Sequence, residues 1–248
     1  MIGDYPLNQR SSEILRAVVR GFIETGEPVS SEWLFEHHDF GIRPAMIRLE
    51  LNDLTERGYL EQPHHAAGRM PSDAAYELFA NQMLEETASA RDGEIAELFE
   101  RQAWPELLGH ISEDLGVLSV AATSREHNVF KGPLENLVDS LDWSSREEIK
   151  ALIRDFEELD ARMDRVWREL TGGSLKVFVG KKSPITRSGF LSVVAGEYDT
   201  GGQRIIVCAI GPKRMDYAKT AELMKGLGEK AKNKKEIAKS KKKKTKSK

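Results

Sequence analysis

Residues 44–72 read PAMIRLELNDLTERGYLEQPHHAAGRMPS, and the change of period along this stretch decides the fold of the N-terminal third. Ile47, Leu51 and Leu54 recur at three- and four-residue spacing, so they share one helical face and mark it as buried. Pro44 suits a first helical turn, and Gly58 suits the residue just past the last one. Tyr59-Leu60-Glu61-Gln62 then reads as a strand, residues 64–68 as a turn and Arg69-Met70 as a return strand. A helix over 43–57 is thus followed at once by a small hairpin. The opposite helical face carries Ala45, Leu49 and Asn52, flanked by Met46 and Arg48, which is too much apolar surface for simple solvation.

Working outward, Ile14, Leu15, Val18, Val19, Phe22 and Ile23 make one buried stripe on a helix over 8–24, which Gly26 and Pro28 end. Ser30 or Ser31 caps a short helix reaching His38, and Asp39-Phe40-Gly41 turns the chain. Helix, short helix, turn, helix and hairpin is the order of a winged helix-turn-helix, here residues 1–72. In that arrangement the third helix enters the major groove of DNA and the hairpin touches the backbone or minor groove. The helix offers Arg43, Ala45, Met46, Arg48, Leu49 and Asn52, and the hairpin offers His64, His65 and Arg69. Leu49 suits a thymine methyl, and Arg48 suits guanine or phosphate. Arg48 paired with a neighbouring acid, and Arg69 as a brace within the hairpin, are the rival roles of those two residues.

A helix starting at Asp73 carries the stripe Tyr76, Phe79, Ala80 and Met83, and helical propensity continues to about Gln102 with a break at Gly93. Residues 73–104 read as a linker and dimerisation helix, with Tyr76, Phe79 and Met83 as its contacts; packing on the following domain is the alternative. From Pro105 the character changes. Val117 to Ala121 reads as a buried strand, and a long helix lies within 141–170, opened by overlapping capping boxes at residues 144–148. Its apolar residues, from Ile149 to Leu170, follow near-heptad spacing. Strands at 176–179, 191–195 and 203–210, a turn at 199–202 and a last helix from residue 215 or 216 make residues 105–232 an α+β domain with an antiparallel sheet.

Composition bounds the function. The start, Met1 to Leu7, has no apolar h-region, and no apolar run nears membrane-spanning length, which predicts a cytoplasmic protein without a membrane partner. The single cysteine, Cys208, excludes an internal disulfide and sits in an apolar strand as an inert thiol. From Lys225 to Lys248 twelve lysines face two acids, which leaves the other 224 residues at −13 within an overall −3. Residues 233–248 read as a disordered lysine-rich tail, able to attract polyanions but not to read sequence. Phosphate-binding glycine loops, metalloprotease helices and nucleophile elbows are missing, so neither an enzyme nor a cofactor is expected. His37-His38 and His64-His65 are adjacent pairs whose rings diverge, so no metal site is expected either.

Several stretches carry a resemblance. Gly26-Glu27-Pro28-Val29-Ser30, Ile47-Arg48, residues 54–64 and Ala67-Gly68-Arg69-Met70-Pro71-Ser72-Asp73 resemble the heat-inducible transcription repressor family HrcA. Gly201-Gly202 and Ile210-Gly211-Pro212-Lys213-Arg214-Met215-Asp216-Tyr217 are similar to that family's C-terminal signature. The likeness runs over about 8–86 and 129–230. It implies a homodimer with a winged helix-turn-helix and a GAF-like domain, and repression of heat-shock chaperone genes through an inverted-repeat operator on double-stranded DNA. It also implies the GroE chaperonin as a partner in reaching the active form. The chain departs from the family at Arg43, Pro44, Met46 and Leu49, where small polar residues are usual, and at the short link 124–128, where the family carries a longer segment. The lysine tail is a third departure. Two other readings stand beside this one: a ligand-responsive winged-helix repressor of other genes, and a nucleic-acid-binding protein driven by its tail.

Overall fold

The computed structural model describes residues 6–89, 93–125, 128–141, 145–170, 175–200 and 202–227. The chain divides into two compact units, Met1–Gln82 and Met83–Lys248. The lysine-rich segment beyond 227 lies outside the described residues.

The first unit is built from α1 (Gln9–Thr25), α2 (Ser31–His37), α3 (Pro44–Glu56) and the two-stranded antiparallel hairpin of β1 (Leu60–Glu61) and β2 (Met70–Pro71). Asn8 and Ser30 cap α1 and α2 by accepting the amides of Ser11 and Trp33. Pro44 opens α3 where no intrahelical donor is needed, and Gly58 follows it with φ +79°. Ile14, Leu15, Val18 and Val19 of α1 are buried, as are Leu34 of α2, Ile47, Leu51 and Leu54 of α3, and Leu60 of β1. The α1 and α3 residues are those the sequence periods predict, except that Phe22 and Ile23 at the end of the α1 stripe are only half-buried. α4 (Asp73–Glu86) follows the hairpin directly, its first turn received by the Ser72 hydroxyl, which accepts from the Ala75 amide.

In the second unit a five-stranded antiparallel sheet runs in the order β4-β3-β7-β6-β5. Its strands are β3 (Leu118–Thr123), β4 (Val129–Lys131), β5 (Lys176–Val179), β6 (Leu191–Thr200) and β7 (Gln203–Pro212). Alternate residues face opposite layers. Leu118, Val120, Ala122, Cys208 and Ile210 join Leu137 of α7 (Glu135–Asp139) and Leu152, Leu159, Met163 and Val166 of α8 (Arg146–Glu169) in one core. Ala121, Ile205 and Val207 join α5 (Gly93–Glu100), α6 (Trp104–Leu115) and a helix over 217–227, α9, in another. Burial on both faces explains why these strands read as unbroken apolar runs.

The expected break at Gly93 separates α4 from α5; the correction is that α5 belongs to the sheet's core rather than to a linker. Residues 104–115 form α6, which the sequence reading left without an element. β3 and β4 pair antiparallel on either side of the short link, and the Thr123 amide donates to the Asn128 carbonyl. Cys208 is fully buried, and burial pushes its thiol up to about 12. No helix among the described residues is long and apolar enough to cross a membrane.

One buried ion pair ties α8 to the residues before β6. Arg162 Nη1 lies 2.7 Å from Asp155 Oδ1, and both residues are 5% exposed. Arg162 also donates to the Ile185 carbonyl and to Glu158, while Asp155 accepts the amides of Arg187 and Ser188 and the Ser188 hydroxyl. Every strong acceptor of the buried carboxylate is thus engaged, the condition under which such a pair is tolerated.

Candidate nucleic-acid interface

Helical geometry fixes what α3 presents. With Ile47, Leu51 and Leu54 at 0–3% exposure, the opposite side turns outward. Arg43, Ala45, Met46, Arg48, Leu49 and Asn52 are all exposed, Met46 at 46% and Leu49 at 60%. Two large apolar side chains standing in solvent on one short helix are a patch that calls for a partner.

Arg48 does not stand alone. Its Nη2 lies 2.6 Å from Glu32 Oε1 on α2, with both side chains more than half exposed. Backbone hydrogen bonding at its own position, the Ser31 hydroxyl and then Arg48 hold the Glu32 carboxyl below its ordinary range. An exposed pair of this kind contributes little to stability and is readily exchanged for another anion.

Arg69 is placed otherwise than a phosphate-seeking wing residue would be. It is 9% exposed, and its guanidinium turns back onto α3. Nε donates to Thr55 Oγ1 at 3.0 Å, Nη2 to Asn52 Oδ1 at 2.6 Å and Nη1 to the Ala67 carbonyl at 3.5 Å. Its backbone pairs with Val29, so the β2 end of the hairpin is stitched to the start of α2 as well. Gly68 makes that approach possible: a Cβ there would lie 2.5 Å from the Val29 carbonyl carbon and oxygen. The brace, the rival role given to Arg69 above, is therefore the one its contacts describe.

The hairpin tip is ordered by Gln62, whose amide donates to the carbonyls of His65 and Ala67. His64 and His65 project from it, exposed. Between the tip, α3 and the start of α2 lies a polar cleft of ≈ 370 Å³, lined among others by Ser30, Glu32, Arg48, Asn52, His65 and Arg69. The other histidine pair is spent locally: His37 stacks on Trp33 at 4.2 Å and His38 lies against Phe40. Glu32, Thr55 and Gln62 were not singled out from sequence, because their importance comes from partners brought near only by the fold.

The residues nominated for dimerisation lie elsewhere. Tyr76, Phe79 and Met83 are 4%, 6% and 6% exposed, covered already within the single chain. On α8, by contrast, Ile149 and Ile153 are 41% and 47% exposed.

Comparison with known proteins adds the following. The family model for the HrcA protein C terminal domain matches residues 72–221, more than half of the chain. The heat-inducible transcription repressor HrcA of Desulfitobacterium hafniense is 45% identical over 86 residues, which cover 35% of this chain and 25% of that protein. The same repressor of Desulforudis audaxviator is 37% identical over 118 residues, covering 48% of this chain and 34% of that one. The matched stretches thus span a quarter to a third of the length of these curated relatives. Among solved structures, a crystallised hypothetical protein shares the fold at a TM-score of 0.64 and 18% identity, covering 86% of this chain and 92% of its own.

Proposed function

Since the chain belongs to the HrcA family, we propose that it is a cytoplasmic, DNA-binding transcription repressor of heat-shock genes, holding an inverted-repeat operator as a homodimer. In this reading the first unit is a winged helix-turn-helix, with α3 as recognition helix and β1–β2 as wing, and the sheet domain is the GAF-like part. The observation that carries it is the outward face of α3, where Met46 and Leu49 stand exposed beside Arg48 on a helix braced from behind by Arg69. Such a face fits a major groove, which offers thymine methyls to the apolar carbons and acceptors to the guanidinium. Arg43 and the wing histidines His64 and His65 serve phosphates, whose contacts position the protein without specifying sequence.

One winged helix reads few base pairs, and two copies about a two-fold axis match an inverted repeat. With the α4 stripe already covered, the exposed pair Ile149 and Ile153 makes α8 the better-placed dimer contact. The GroE chaperonin belongs to the proposal as the partner that sets the active fraction. A small-molecule-responsive repressor would need a ligand cavity in the sheet domain; the candidate there is the cleft lined by Ser124, Asp164, Trp167, Arg168 and Arg204.

The test is selection of duplex DNA from a random pool by the full chain at physiological salt. An inverted repeat of two equal half-sites is the expected product. Recovery of unrelated sequences, with binding that vanishes when residues 225–248 are removed, would leave only the tail-driven reading.

A further inference from the structure

On that proposed function rests a statement about which bases α3 reads. The Asn52 amide has one oxygen, an acceptor, and one NH2, a donor. Its oxygen faces the Arg69 guanidinium at 2.6 Å, and this orientation is compulsory, since a guanidinium has only donors and an NH2 turned toward it would be repelled. Arg69 is itself fixed by Thr55, whose hydroxyl donates to the Leu51 carbonyl at 2.7 Å. The outward end of Asn52 is therefore its NH2. Arg48 carries donors only, and the nearby carboxylate of Glu32 stands on α2, not α3, where it also accepts from the Ser31 hydroxyl. Ala45, Met46 and Leu49 supply carbon. The acids of α3 that face outward, Asp53 and Glu56, come after Asn52, and Asp53 is 3.7 Å from Arg57.

We infer that the reading face of α3 offers hydrogen-bond donors and apolar carbons outward, with its one side-chain amide acceptor, the Asn52 oxygen, turned to Arg69, and so reads thymine and guanine edges rather than the exocyclic amines of adenine and cytosine. Thymine matches both halves of that face at once, with its O4 acceptor beside its C5 methyl; guanine matches the donors through N7 and O6. The usual two-point reading of adenine by an asparagine needs the amide oxygen free to align with the base edge, and here Arg69 fixes where that oxygen points. Asn52 is thus a specificity-determining residue whose choice of base is set from the wing, and Leu49 is the partner of the methyl.

The experiment uses the strongest inverted repeat retained by the full chain and replaces its half-site bases one at a time. Deoxyuridine for thymine removes only the methyl, and purine deoxyriboside for adenine removes the exocyclic amine and adds nothing to either groove. At least one deoxyuridine per half-site should weaken binding about fourfold, the worth of one buried methyl. The amine-free purine should leave affinity within about twofold, the scatter of such contacts, at every position. In Leu49→Ala, whose side chain stands in solvent and holds no core, the deoxyuridine penalty should disappear. Deoxyuridine without effect at every thymine, or an amine-free purine that costs about tenfold, as loss of a real base contact does, would overturn the inference while leaving the repressor reading intact. Failure to retain any repeat would overturn both.

Discussion

Arg48 and Arg69 are both arginines on the same small domain, yet their surroundings assign them opposite work. Arg48 is exposed and paired with one exchangeable carboxylate, whereas Arg69 is buried and spends its donors on Thr55, Asn52 and Ala67. Arg69→Ala should therefore cost about 1–3 kcal/mol of stability, because Asn52 and Thr55 lose a buried donor. It should leave the salt dependence of DNA binding unchanged, since no phosphate contact is removed. Chemical denaturation and a salt titration check the two halves, and a salt slope reduced by about one unit would restore Arg69 to the backbone. Arg48→Ala should do the reverse, weakening the selected repeat by about 1–3 kcal/mol with stability nearly intact. Equal losses on repeat and random DNA would mean a phosphate contact only. That Arg69 lies after a glycine turn was legible from the sequence. That its guanidinium would find Asn52, seventeen positions back, was not, because the pairing is made by the close approach that Gly68 permits.

Among the elements, those with long periodic stripes were legible and those defined by their neighbours were not. α1, α3 and α8 declared themselves through Ile14 to Val19, Ile47 to Leu54 and Leu152 to Val166, α8 also through its capping boxes at 144–148. The three-residue β4 is an edge strand too short to show a period. α6 did carry signals, with Pro105 in its first turn and Leu107, Leu108 and Ile111 at helical spacing, but its proximity to the strand Leu118–Thr123 blurred the change of period. α4 and α8 both showed apolar stripes, and a stripe does not say what covers it. Burial now separates them. The double variant Ile149→Asp with Ile153→Asp should give a folded monomer by sedimentation and circular dichroism. Phe79→Asp with Met83→Asp should instead lose the fold, as buried charges costing about 4 kcal/mol or more do. A folded monomer from the α4 pair, with the α8 pair still dimeric, would return the interface to α4.

At the scale of the whole molecule, the charge distribution and the recognition surface make separate contributions. On the proposed reading, the lysine-rich segment, +10 in its twenty-four residues, would attract DNA of any sequence, and the outward face of α3 would supply the selectivity. The two contributions are distinguished where the protein works. Genome-wide mapping of the full chain in its cell, before and after heat shock, is the most direct test of the central claim. A sequence-specific repressor of heat-shock genes should occupy a small set of promoters, each holding the same inverted repeat and serving chaperone genes, and should leave them on heating. Occupancy spread over accessible DNA without a shared repeat, unchanged by heat, would contradict the account.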